Sequence, residues 1–128
     1  MATAEVQTHS QLVARFEEVL AVKDGWLDGL GRAPSEAGIR QVVSHFLHGY
    51  PALAPLPSIV PTPEGNLLLE WDVVERPSVD LELSSMKAEF HAFAVDGSDF
   101  ERDFSLTNGH NWQEFFEFLG INLEPAAE

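Results

Sequence analysis

The spacing of apolar residues changes at Ser58, and that change constrains the fold more than any other feature of the chain. Before it, apolar positions recur at helical intervals. Leu12, Val13, Phe16, Val19 and Leu20 form one set. Ser10 reads as its N-cap, and the helix is expected to end near Val22, before Asp24-Gly25. Ile39, Val42, Val43, Phe46, Leu47 and Tyr50 form a second set. It opens at Pro34-Ser35, with Ser35 as the cap, and closes at Gly49 and Pro51. The stretch 25–34 between them is rich in glycine yet carries Trp26, Leu27 and Leu30, so it reads as a loop that packs its Trp onto the domain. Pro51, Pro55 and Pro57 stiffen the following connector into an extended, polyproline-like path.

From Ser58 onward the period is two. Ser58–Thr62 is a short strand, and Pro63-Glu64-Gly65-Asn66 has the composition of a hairpin turn. Leu67, Leu69 and Trp71 alternate with Leu68, Glu70 and Asp72. After the turn Glu75-Arg76-Pro77, Val79, Leu81 and Leu83 alternate with Asp80, Glu82 and Ser84. Ala88, Phe90, Ala92 and Ala94 alternate with Glu89, His91, Phe93 and Val95. Beyond Asp96-Gly97, Phe100, Arg102, Phe104 and Leu106 alternate with Asp99, Glu101, Asp103 and Ser105. Short turns between consecutive strands predict an antiparallel meander with one apolar and one acidic face. Asn108 or Asn111 then caps a helix carrying Trp112, Phe115, Phe116 and Leu119, which Gly120 is expected to stop. The sequence thus predicts an α+β fold: two N-terminal helices, a β-meander of about five strands and a short C-terminal helix. It reads as a single domain over 1–128, with loose termini at 1–8 and 122–128.

Charge follows the same division. Fifteen of the 21 acidic residues lie after residue 63, against only Arg76, Lys87 and Arg102, a formal −12. The whole chain carries −14, which disfavours direct binding to nucleic acid or to an anionic membrane and favours a basic partner. The chain has no cysteine, hence no disulfide framework and no thiolate metal site. The start lacks a basic segment followed by an apolar run, and no stretch reaches membrane-spanning length, so a cytoplasmic location is expected.

No residue set names a reaction. His45 and His48 are three apart on the second helix, and a metal there needs a third ligand such as His91 or His110. Two histidines at the margin of an apolar face, binding nothing, explain the pair better. Asp96–Asp103 is rich in oxygen donors but lacks the order of a calcium-binding loop. The carboxylate pairs Glu70 with Asp72, Asp80 with Glu82 and Asp99 with Glu101 read as a solvated sheet face rather than as an acid–base couple. Nucleophile elbow, phosphate-binding loop and dinucleotide fingerprint are all absent from the sequence, and no cofactor is implied. What remains is a two-dimensional array of carboxylates: Glu70, Asp72, Asp80, Glu82, Glu89, Asp99, Glu101 and Asp103. Along a strand they lie about 6.8 Å apart and across strands about 4.8 Å, comparable to phosphate spacing on a nucleic acid strand. Phe93 stands on the same side between His91 and Val95, an aromatic ringed by acids that suits an interface.

Three stretches carry a resemblance: Asp24-Gly25-Trp26, then Ala33-Pro34-Ser35 before a helix, then the run from Pro57 through Ile59, Pro61-Thr62-Pro63, Gly65, Leu67 and Leu69 to Glu70-Trp71. Together they resemble a pattern in small bacterial proteins of unknown function, over somewhat more than a third of the chain. The usual turn there reads Asp-Gly-Gly, where this chain has Glu-Gly-Asn. The resemblance supports the hairpin and the Trp-bearing strand, implies no activity, and points to the cargo of mobile or phage-defence loci. The expectation is therefore a non-enzymatic acidic module, antitoxin-like, immunity-like or an accessory subunit. It would dock a basic protein through Glu70, Asp72, Asp80, Glu82, Glu89, Phe93, Asp99, Glu101 and Asp103. A nucleic-acid mimic that blocks a DNA- or RNA-binding enzyme is the alternative. A small metal-dependent hydrolase built on His45 and His48 is the rival from another class.

Overall fold

A computed structural model describes residues 4–50, 54–73, 76–93 and 99–122. It contains helices α1 (Ala4–Leu20), α2 (Glu36–Gly49) and α3 (Gly109–Asn122) and strands β1 (Ser58–Pro61), β2 (Leu67–Glu70), β3 (Ser78–Glu82), β4 (Lys87–Phe93) and β5 (Asp99–Ser105). The strands form one antiparallel sheet in chain order, the expected α+β meander. Pro51, Glu75, the Asp96-Gly97 turn with Ala94 and Val95, the side chain of Phe93 and the acidic tail lie outside the described residues.

The helices form a second layer on one sheet face. α1 packs on β1, α3 on β5, and α2 lies between α1 and α3. Register explains what they cover. Pro61, Leu67, Leu81, Ala88 and Phe104 stand opposite one another across the five strands, and Ile59, Leu69, Val79 and Phe90 form the next row. Apart from Pro61, which is half-buried at the edge, these rows join Leu12, Phe16, Ile39, Phe46, Trp112 and Phe115 in one core. Burying each large side chain stabilises the fold by about 1.5–3 kcal/mol. Phe46 sits at the centre of the aromatic packing, edge-on to Phe16, Trp112 and Phe116.

Local signals account for the starts of two helices and for the first hairpin. The Ser35 hydroxyl accepts from the Gly38 amide at 3.1 Å and caps α2. The Asn108 carboxamide accepts from Asn111 at 3.0 Å, which selects Asn108 over Asn111 as the α3 cap. Gly65, at φ +86°, lets the β1–β2 turn close, with its amide donating to the Thr62 carbonyl at 3.0 Å.

Two boundaries and one loop differ from expectation. α1 starts at Ala4 rather than at Ser10, because the Ala-Glu-Val-Gln run ahead of Ser10 propagates the helix and leaves Ser10 in its interior. α3 runs through Gly120 to Asn122, because the fully buried Leu119 anchors its last turns and outweighs glycine's penalty of about 1 kcal/mol. Trp26 does not join the core. It closes its own loop, donating from Nε1 to the Arg32 carbonyl at 3.0 Å, while Leu27 and Leu30 exchange backbone hydrogen bonds and remain exposed.

A polar network ties the helical layer to the sheet. Trp71 Nε1 donates to the Tyr50 hydroxyl at 2.7 Å, and that hydroxyl donates to the Pro55 carbonyl. Burial pushes the Tyr50 phenol up to about 12.

Candidate partner-binding face

The side of the sheet away from the helices is set by the same register. Asp80, Glu89 and Asp103 stand directly opposite one another on β3, β4 and β5. Directly opposed side chains on adjacent strands are about 4.5–5.5 Å apart at Cβ, and like charges so placed destabilise the pairing. The next row reads Glu70, Ser78, His91, Glu101, and the row on the other side places Lys87 between Glu82 and Ser105. Lys87 is the only lysine or arginine among the outward-facing strand positions described.

Asp80, Glu82, Glu89 and Asp103 line one depression of about 510 Å³, floored by the strands and rimmed by Glu64 and Lys87. Glu64 was not legible as a site residue, since strand alternation says nothing of a turn. The hairpin over β1–β2 carries it to the rim. Glu82 is oriented by the Ser85 hydroxyl, which donates to it at 2.6 Å. The face is therefore concave and acidic at the β3–β5 end.

The other corner is different. Glu70 and Asp72 share their depression with Arg15 and Arg76, so the charge there is largely balanced. Asp72 lies past the end of β2 and is not part of the strand array. Asp99 is at the far end of β5, paired in register with Phe93, whose side chain lies outside the described residues. The structure thus brings Asp80, Glu82, Glu89, Glu101 and Asp103 together and leaves Glu70, Asp72 and Asp99 at the margins.

His91 sits inside the acidic array. Its Nε2 is 3.2 Å from Glu89 and its Nδ1 is 3.3 Å from Glu101. A neutral imidazole donates from one ring nitrogen only, so both contacts are hydrogen bonds together only in the imidazolium. One ligand atom from each of these three residues lies within 4.8 Å of the others, which is also a donor set for a divalent cation. The Glu-x-His spacing on β4 is visible in the sequence; the third member comes from β5 through register alone.

His45 and His48 do not join this cluster. His45 lies flat on Trp112, with ring centroids 4.6 Å apart and planes 7° apart. Burial, and secondarily the neighbouring His48, lowers the His45 pKa from its usual value. His48 pairs through Nδ1 with the Ser44 carbonyl at 2.9 Å. His110 is near Glu114 on the surface of α3, at 3.6 Å. Neither His91 nor His110 completes a metal set with His45 and His48 among the described residues.

Among the described residues no helix is long and apolar enough to cross a membrane. No family model matches the chain, and neither the curated proteins nor the solved structures give a match.

Proposed function

We propose that this protein is a non-enzymatic binding module that docks a basic protein on its outer sheet face, as an antitoxin, immunity protein or accessory subunit does. The observation that carries this reading is the row Asp80, Glu89, Asp103. Exposed positions are free to alternate in sign, and alternation would stabilise the sheet. Three carboxylates held in register, over a depression that Glu64 and Glu82 make more acidic, lower stability and serve a positively charged surface. Lysine or arginine side chains entering that depression would relieve the repulsion on binding.

The same regular spacing favours a second reading, in which the face imitates a nucleic acid strand and occupies the binding site of a DNA- or RNA-binding enzyme. Both readings meet one experiment. Proteins co-purifying with the chain from its native host are identified, and the complex is re-measured with Asp80→Lys, Glu82→Lys and Glu101→Lys combined. The expected result is a basic partner whose affinity falls steeply with salt and is lost in the triple variant while the fold persists. Unchanged affinity would sink the proposal. Competition by nucleic acid for the same partner selects the mimic reading.

A further inference from the structure

The sheet has two edges, β1 and β5, and the chain treats them differently. In an antiparallel pair every second residue bonds across, and the residues between turn their N–H and C=O groups away. The Thr62 amide donates to the Asn66 carbonyl at 2.9 Å, in step with the β1–β2 register. Ser58 and Val60 therefore bond β2, and Pro57, Ile59 and Pro61 face outward. Two of these three are prolines without an N–H, and Arg15 donates to the Pro57 carbonyl. That edge is closed to a further strand.

At β5 the Leu106 amide donates to the Met86 carbonyl at 2.6 Å, in step with the β4–β5 register. Phe100, Arg102 and Phe104 therefore bond β4, and Asp99, Glu101, Asp103 and Ser105 turn their backbone groups outward. β5 runs for 7 residues without proline, glycine or a break in register, and all but Phe104 are exposed. Among the described residues no backbone hydrogen bond reaches its outer edge. The residues that turn their backbone outward also carry their side chains on the acidic face. Phe100, on the inner side, is 44% exposed.

We propose that β5 takes up an extended, antiparallel segment of the basic partner as a further strand, with lysine or arginine at every second position; this rests on the basic-partner reading above. Segment residues opposite Asp99, Glu101 and Asp103 would bond their backbone and stand beside their carboxylates. Hydrogen bonding and charge thus select the same positions of the segment. The positions between lie on the inner side, where exposed Phe100 favours an apolar side chain. A second copy of this chain is turned away. Antiparallel β5 strands would set the same acids against one another, and Arg102 points inward on an edge strand, a known guard against self-pairing.

The probe is a short capped peptide that alternates lysine and valine. Two analogues keep its charge and carry backbone N-methyl groups, one on the interior lysines and the other on the valines. The unmodified and valine-methylated peptides are expected to bind at low salt. They should slow solvent exchange of the Glu101, Asp103 and Ser105 amides, which in the free protein exchange faster than those of Arg102 and Phe104. The lysine amides face β5, so their methylation is expected to weaken binding by about tenfold or more, the equivalent of lost hydrogen bonds. Equal affinity of the two analogues, no slowing at those amides, or no binding by any peptide overturns the proposal. So does protection of those amides that grows with protein concentration before peptide is added, the mark of a second copy on the edge. Equal affinity of the analogues would leave the basic-partner reading standing. That reading fails separately, on a native partner indifferent to the triple charge variant.

Discussion

The two faces of the sheet use the same strands and the same register to opposite effect. On the inner face, the row from Pro61 to Phe104 is apolar throughout and is packed under three helices. On the outer face, one residue along each strand, carboxylate is set against carboxylate. The inner face decides the register, because a slip of one residue would turn Asp80, Glu89 and Asp103 into the core. The outer face inherits the alignment but not the identities, which folding leaves free. What the difference teaches is that the acidic row is not explained by the fold. It is a choice of residues that folding tolerates at a small cost.

The comparison is open to attack from both sides. Phe90 is fully buried at the middle of the inner face, edge-on to Phe118 at 4.8 Å. Phe90→Ala is expected to destabilise the protein by roughly 3–5 kcal/mol in denaturant unfolding, and a loss under about 1 kcal/mol would mean the inner face does not act as a packed core. If that variant does not fold, Phe90→Leu gives a smaller loss of the same sign.

The next effect concerns the join between layers. Because burial raises the Tyr50 phenol to about 12, the folded state keeps its proton where the unfolded chain, near pH 10, has lost it. The contribution is present in full below pH 10 and is lost as pH rises from there through about 12. The loss is on the order of 2–3 kcal/mol. Tyr50→Phe leaves the Trp71 N–H without its acceptor and costs about 1–3 kcal/mol at neutral pH, but it should abolish this alkaline decline. Equal declines in the two proteins between pH 10 and 12 would show that Tyr50 is not the group responsible.

The smallest effect has the opposite sign. Asp103→Asn removes one charge from the outer row and is expected to raise stability by a few tenths of a kcal/mol at low ionic strength. The gain should vanish in about 1 M salt. A destabilised variant would be evidence that the carboxylates of this row do not repel.

The sequence by itself determined the elements and their faces. The change of period at Ser58 separates helices from strands, Ser35 announces α2, and the turn around Gly65 announces the first hairpin. These signals act within a few residues, through hydrogen bonds and side-chain direction, so they are legible without the fold. Five of the predicted carboxylates, Asp80, Glu82, Glu89, Glu101 and Asp103, do share one acidic region. That they align in rows, that Glu64 joins them, and that Glu101 reaches His91 follow from cross-strand register, which no single strand encodes. Arg102 makes the same point on the inner side. Alternation assigned it to the apolar set, yet it is exposed at the edge strand, its guanidinium 4.8 Å from the Phe104 ring and 4.9 Å from Phe118. His45 read as a metal candidate beside His48, whereas the meeting of α2 and α3 laid it on Trp112. In each case the deciding contact joins residues far apart in the chain, so only the packed structure could choose it.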